Sequence, residues 1–298
     1  MKKIGFIGLG IMGKPMAKNL INEGYELIVY DINEQSLGEL VDCGAKRGNS
    51  PKHIAENSDI VLTMLPNSPQ VKEVILGPEG VMEGVKQDHI VIDMSSIAPL
   101  VTQLIAQKLR EKNVEMLDAP VSGGQEKAEA GTLAFMVGGD PEIFIKCKEI
   151  LEVMGKSVML VGDVGAGQTT KLVNQAIVAI NIAAVAEGLI LGKKAGVDPE
   201  KICNAIGGGL AGSQCLQDKA PRMLAGRYDP GFRMKLHVKD LTNVLETSRS
   251  LHISMPLSAS IMEMMQSILA DGHEDVDHGG LALFYEKLAG ISLKKEAS

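Results

Sequence analysis

The sequence of 298 residues has no tryptophan and few aromatics, five Phe and four Tyr. That scarcity argues against the aromatic platforms on which nucleobases and sugars stack. Basic side chains are outnumbered, 30 against 37, for a net charge of −7. A nucleic-acid partner is therefore not expected, since a phosphate backbone has to be met with Lys and Arg. The four cysteines (Cys43, Cys147, Cys203 and Cys215) are far apart and form no Cys-x-x-Cys pair. They suit neither a disulfide framework nor a zinc site, and they fit a reducing cytoplasm. An unbroken membrane span is also missing. The most apolar stretch, Ala176 to Gly192, contains Asn181 and Glu187 and is flanked by Lys171 and Lys193. A span needs ~20 apolar residues, so this one reads as the buried helix of a soluble protein. The opening MKKIGFIGLG reads as a strand and a glycine motif rather than a leader.

What the sequence does have is a regular alternation. Lys3–Ile7, Glu26–Tyr30, Ile60–Met64, Ile90–Ile92, Glu115–Leu117, Ala134–Val137 and Val158–Val161 read as strands. Amphipathic stretches lie between them: Met12–Asn22, Glu34–Val41, Pro69–Ile75, Pro99–Lys112 and Glu142–Met154. Such alternation predicts βαβ units, hence an α/β domain with a mostly parallel sheet. It stops near Gly162. From Gly165 to Ala195 the pattern is one long helix, and further helices reach about residue 292, interrupted at Gly207–Gly209, Asp229–Gly231 and Pro256. The expected organisation is an α/β domain over 1–163 and an all-α domain over 164–298, opened by the long interdomain helix. The end, Lys294–Ser298, reads as a solvated tail.

Three segments carry chemistry. Gly8-Leu9-Gly10-Ile11-Met12-Gly13 fits G-x-G-x-x-G between a strand and a helix. There Gly8 makes the turn, Gly10 admits a pyrophosphate to the backbone, and Gly13 lets helix and strand approach. The helix N-terminus offers amides and a positive dipole end to the phosphates. Asp31, at the end of the second strand, suits ribose hydroxyls and repels a 2′-phosphate, and no Arg follows within ten residues. NAD(H) is therefore expected over NADP(H), although Asp31 could equally cap the helix starting near Glu34. Asp118 to Gly124 follows another strand end, where Ser122, Gly123 and Gly124 could form a small nest for a substrate carboxylate or a plain glycine turn. In Gly165–Gln175, Lys171 and Asn174 share a helix face. Lys171 can protonate a developing alkoxide, and Asn174 can orient Lys171 or a substrate oxygen.

These residues resemble the β-hydroxyacid dehydrogenases. The likeness runs through Phe6–Gly13 and Met16–Leu20, the Asp118–Gly124 loop, the helix opening Gly165–Asn174 and the pair Lys239-Asp240, over essentially the whole chain. It implies a Rossmann-type N-terminal domain, an all-helical second domain, Lys171 as general acid, and substrate contacts from Ser122, Gly123, Gly124 and Asn174. It also implies nicotinamide-side contacts from Leu65, Pro66, Ser96 and Lys239, and a homodimer or homotetramer. Met64–Pro69, Asp93–Pro99, Gly208–Ser213, Pro230–Arg233 and Ala270–His273 further resemble members that reduce 2-hydroxy-3-oxopropanoate to glycerate with NADH. Sister substrates, 3-hydroxyisobutyrate and 2-(hydroxymethyl)glutarate, stay open, as does a noncatalytic dinucleotide-binding module. Relatives often carry Asn-Asn where this chain has Asn174-Gln175, which leaves the role of the second amide open.

Other groupings point elsewhere. His273–His278 collects metal-ligand residue types, but its spacing fits no zinc or calcium set, so a polar loop and no metal are expected. Met262, Met264 and Met265 suit core filling. His237 reads as structural, and Ser122 lacks triad partners at recognisable spacing.

Overall fold

The computed structural model describes residues 2–295. The chain divides into two compact units, Met1–Lys171 and Leu172–Ser298. In the first unit the strands are β1 (Ile4–Ile7), β2 (Leu27–Tyr30), β3 (Lys46–Arg47), β4 (Ile60–Thr63), β5 (Ile90–Asp93), β6 (Glu115–Asp118), β7 (Val121–Ser122), β8 (Leu133–Gly138) and β9 (Gly155–Gly162). Among the described residues they form one sheet in the order β3-β2-β1-β4-β5-β6-β8-β7, with β9 beside β8. The stretch from β3 to β6 is parallel throughout. β8 runs antiparallel to β6 and β7 but parallel to β9. The helices are α1 (Gly13–Asn22), α2 (Glu34–Asp42), α3 (Pro51–Glu56), α4 (Ser68–Leu76), α5 (Val81–Gly84), α6 (Pro99–Arg110), α7 (Gly124–Glu129) and α8 (Pro141–Met154).

The strands are continuous apolar runs because both sheet faces are covered. Alternate residues serve the two sides. Phe6, Leu62 and Ile92 join one core cluster, while Ile7, Val61 and Val91 join the other. Side-chain caps set several helix starts. Asn33 accepts from Ser36 N at the head of α2, Ser50 from His53 N in α3, and Asp140 from Glu142 N and Ile143 N in α8. The sequence pattern predicts none of β3, β7, α3, α5 or α7. Each has two to six residues, too short to develop a hydrophobic period.

The long helix α9 spans Ala166–Lys194, 29 residues. By length and composition it could cross a membrane. Its Leu172, Ala179, Ile182, Ala186 and Leu189 instead lie in the core of the second unit. That unit continues with α10 (Pro199–Ile206), α11 (Gln214–Ala225), α12 (Met234–Ser250), α13 (Pro256–Ala270), a 3-10 turn at His278–Leu281, and α14 (Ala282–Ala289). By contact, the first compact unit runs on through the head of α9 to Lys171. The physical reason is that the head of α9 is bonded to the ends of β5 and β6, as described below. In the tail, Lys294 and Lys295 are exposed, as expected, and backbone bonds tie them to the helices. Leu293 is buried, Lys193 Nζ donates to Lys294 O at 2.9 Å, and Lys295 N donates to Leu224 O at 3.1 Å. Glu296–Ser298 lie outside the described residues.

Candidate active site

In the first unit the expected cofactor residues follow the C-terminal ends of parallel strands, on either side of the point where strand order reverses between β1 and β4. Open α/β sheets bind ligands at such a point. The three motif glycines differ in what they allow. Gly8 has φ +96°, and a Cβ there would lie 2.3 Å from Met64 O and 3.0 Å from the Leu65 side chain. At Gly13 a Cβ would lie 1.9 Å from Gly8 O, so strand end and helix start touch through this residue. A Cβ on Gly10 would meet nothing within 4 Å. Only Gly10 therefore faces open space, as close approach by a pyrophosphate requires. No side chain caps α1, which leaves its dipole end available to an anion. Of the other loop residues, Leu9 is buried and Ile11 is half exposed. This chain's residues thus fit a bound dinucleotide.

Asp31 does not cap α2, because Asn33 does. Its Oδ2 accepts from Leu9 N at 2.5 Å and its Oδ1 from Asn33 N at 2.7 Å. Two backbone amides hold the carboxylate against the glycine loop, and each oxygen keeps a further lone pair for a ribose hydroxyl. The sheet also brings in an arginine that lies too far along the sequence to be noticed. Arg47 pairs in register with Val29 of β2, and its guanidinium is engaged by Glu34 at 2.7 and 2.8 Å.

Leu65 and Ser96 follow β4 and β5. Leu65 N donates to Ser95 Oγ at 2.8 Å, which ties the two loops together. The same loops anchor α9. Gln168 donates through Nε2 to Ser95 O at 2.6 Å and accepts Ile97 N at 3.0 Å. Asp118, at the end of β6, accepts Gly165 N through Oδ1 and Gln168 N through Oδ2, both at 2.7 Å. A carboxylate thus closes a buried helix N-terminus, satisfying amides that have no partner within the helix. Burial nevertheless pushes the Asp118 carboxyl above its ordinary value, against the amides that pull it down. Asp93, at the end of β5, is pushed up to about 6, first by burial and in small part by the charge of Asp118. Its Oδ1 accepts Thr63 Oγ1 at 2.8 Å and Ser95 N at 3.1 Å. Its Oδ2 has no partner among the described residues.

Lys171 stands in the second turn of this anchored helix and is only 6% exposed. That burial does not fit a solvated lysine at a helix start. The loop after β6 carries half-buried Ser122, then Gly123 and Gly124 at φ +144° and +70°. Glycine adopts both of these positive φ values without strain.

In the second unit, Asn174 and Lys239 belong to one polar network. Asn174 Nδ2 donates to Gln175 Oε1 at 2.8 Å, and Gln175 Nε2 donates to Asp240 Oδ2 at 2.5 Å. The Lys239 ammonium lies 2.8 Å from Asp240 Oδ1. His237 Nε2 meets the Gln175 carbonyl at 3.1 Å, and its Nδ1 meets His278 Nδ1 at 2.9 Å. A carbonyl only accepts, so His237 carries its hydrogen on Nε2, and in the neutral pair His278 donates. Phe232 packs edge-on against both rings. The His273–His278 segment is the polar loop between α13 and the 3-10 turn, exposed over 273–275 and fastened at its end. Buried Asp277 accepts from Lys219 Nζ, Gly231 N, Phe232 N and Gly279 N. Sequence reasoning missed the roles of Asp118, Gln168, Gln175 and Asp277, because each depends on partners 45 to 73 positions away. The position of Asp118 at a strand end was the available signal.

Comparison with known proteins agrees with this geometry. Residues 3–162 match the NAD binding domain of 6-phosphogluconate dehydrogenase. Residues 165–285 match the NAD-binding domain of NADP-dependent 3-hydroxyisobutyrate dehydrogenase. The chain is 41% identical to 2-hydroxy-3-oxopropionate reductase of Escherichia coli (strain K12), over 98% of this chain and 99% of the relative. It is 38% identical to 2-(hydroxymethyl)glutarate dehydrogenase of Eubacterium barkeri, over 98% and 97%. The structure of Mycobacterium tuberculosis 3-hydroxyisobutyrate dehydrogenase with L-serine superposes with a TM-score of 0.89 at 28% identity, covering 96% of this chain and 99% of the other. The chain belongs to the β-hydroxyacid dehydrogenases, NAD(P)-dependent enzymes with an N-terminal Rossmann-type domain and an all-helical second domain.

Proposed function

We propose that the protein reduces tartronate semialdehyde (2-hydroxy-3-oxopropanoate) to glycerate, with NADH as the preferred reductant. The observation that carries the reaction is the buried Lys171 on a helix whose first turn is bonded to β5 and β6 through Gln168 and Asp118. A general acid has to be held still beside the oxygen it protonates, and rigid elements do this better than loops. Bound NADH would supply a hydride to the aldehyde carbon. Lys171 gives its proton to the aldehyde oxygen, and its ammonium stabilises the negative charge developing there. Ser122, Gly123 and Gly124 receive the substrate carboxylate, and Asn174 orients a substrate oxygen or Lys171 itself. Gly8 to Gly13, Asp31, Leu65, Pro66, Ser96 and Lys239 hold the cofactor.

The preference for NADH rests on Asp31, whose carboxylate is fixed beside the glycine loop and would oppose a 2′-phosphate. The choice of tartronate semialdehyde is supported by the 41% identical E. coli reductase. The enzyme is proposed to act in the cytoplasm as a homodimer or homotetramer.

The test follows NADH absorbance with purified protein and tartronate semialdehyde. Methylmalonate semialdehyde, succinic semialdehyde and glyoxylate run beside it, each repeated with NADPH. The highest kcat/KM with tartronate semialdehyde and NADH is the expected result. Higher kcat/KM on another aldehyde transfers the enzyme to a sister specificity, and higher kcat/KM with NADPH removes the Asp31 argument.

A further inference from the structure

The side chain of Gln175 lies between two groups that the proposed reaction uses, and it can link them in one direction only. Asp240, 2% exposed and paired with the Lys239 ammonium, offers only acceptors, so Gln175 has to turn its NH2 toward it. The Gln175 oxygen then points at Asn174, which has to answer with its own NH2 at 2.8 Å. Asn174 thereby keeps its Oδ1 for another donor. The backbone of the same residue is gripped as well, since His237 Nε2 reaches the Gln175 carbonyl at 3.1 Å. An amide flip at Gln175 would place its oxygen against the Asp240 carboxylate and its NH2 against that of Asn174. The polarity of the chain is therefore fixed by one buried charge.

We propose that Gln175 is a positioning residue whose single amide fixes both the Asp240–Lys239 ion pair and the direction in which Asn174 presents its oxygen. The inference rests on reading Asn174 as a substrate residue and Lys239 as a cofactor residue. It answers what the second amide after the catalytic turn does in this chain. Asparagine, one methylene shorter, could not span the same two partners without moving a helix. The charged and titratable groups around Gln175 are Asp240, Lys239 and His237 on α12, His278 on the 3-10 turn bonded to His237, and Lys171 one turn earlier on α9.

Two variants test it. In Gln175→Glu, a protonated carboxyl donates to Asp240 and accepts from Asn174, reproducing the wild-type polarity. Once ionised, it confronts Asp240 with a second negative charge. The ratio of its kcat/KM to wild type is expected to fall about tenfold or more from about pH 6 to about pH 9. Gln175→Leu keeps the shape without polarity. It is expected to lose roughly 10- to 100-fold in kcat/KM with no new pH dependence, and to bind NADH more weakly. Circular dichroism and melting check that both variants fold, and Gln175→Leu decides alone if the glutamate variant does not. A Gln175→Glu ratio that is flat with pH, or a Gln175→Leu variant with wild-type kcat/KM and NADH affinity, overturns the proposal. If wild type reduces none of the aldehydes, the functional reading fails by itself. The pH dependence of NADH binding to Gln175→Glu, through Lys239, then still decides the role of Gln175.

Discussion

Asp93 offers a stability prediction with a definite sign. Its carboxyl is fully buried at the end of β5, with Oδ1 bonded to Thr63 and Ser95 and Oδ2 without a partner among the described residues. Burial pushes it from 3.8 up to about 6. Because the folded value lies above the unfolded one, the folded state binds the extra proton between them. The stabilisation is complete below about pH 4 and is lost as pH rises through about 6. The gap between 3.8 and about 6, at about 1.4 kcal/mol per pH unit, gives about 3 kcal/mol. Asp118, raised in the same direction, adds to the same slope. Asp93→Asn removes its own share, because Asn keeps the Oδ1 acceptor and does not ionise. Its NH2 lacks an acceptor and costs about 1 kcal/mol at every pH, so the slope rather than the absolute value is the readout. Scanning calorimetry of both proteins from about pH 4 to about pH 7.5 should show wild type losing Tm relative to Asp93→Asn. The relative loss should be roughly 5–10 °C, at about 2–4 °C per kcal/mol for a unit of this size. A difference between the two proteins that stays constant across that range refutes the reasoning.

Three further outcomes follow from the site. Lys171→Ala should lower kcat by ~10²–10⁴-fold while NADH affinity, measured by fluorescence titration, changes little; near-wild-type turnover removes Lys171 as the general acid. Asp31→Ala loses the bond to Leu9 N and should weaken NADH binding while narrowing the preference over NADPH. An unchanged ratio of the two kcat/KM values excludes Asp31 from cofactor selection. Gly10→Ala should keep the wild-type Tm and weaken NADH, because its Cβ enters open space, whereas Gly13→Ala should lower Tm, because its Cβ would lie 1.9 Å from Gly8 O. Equal melting temperatures for the two variants would contradict the packing argument.

How much of this was legible in the sequence depends on range. The strands of the parallel sheet were readable because burial on both faces makes each a short apolar run, as in Ile60–Thr63 and Ile90–Asp93. The glycine loop was readable because three backbone constraints fall within six residues. The two-residue strand Lys46–Arg47 was not, since its register is set by β2 rather than by its own exposed side chains. The glycines at 162 and 165 mark a joint, and bonds from the head of α9 to the ends of β5 and β6 carry the first compact unit on to Lys171. The candidate site divides in the same way. Residue types at motif spacing marked Lys171, Asp31 and Ser122 as candidates. The side chains that fasten the surrounding segments act across tens of residues, and nothing local marks Gln168 as the partner of Ser95 and Ile97, or Asp277 as that of Lys219 and Phe232.

Asp93 and Asp118 show why the anchoring could not be inferred from residue type. They occupy equivalent ends of neighbouring strands and pair in register, and burial raises both carboxyls. Their surroundings separate them. Asp118 receives Gly165 N on one oxygen and Gln168 N on the other at a helix N-terminus, so both oxygens are used and the dipole favours its charge. An amide at that position would offer one acceptor where two are needed. Asp93 uses one oxygen, and its Oδ2 has no partner among the described residues. One carboxylate therefore offsets part of its burial by fixing the helix that carries Lys171, while its neighbour, with one oxygen unbonded, keeps a larger cost. Buried charge at these strand ends is tolerated where it positions the helix, and the unequal compensation is what makes Asp93, rather than Asp118, the place where stability can be gained by removing a charge.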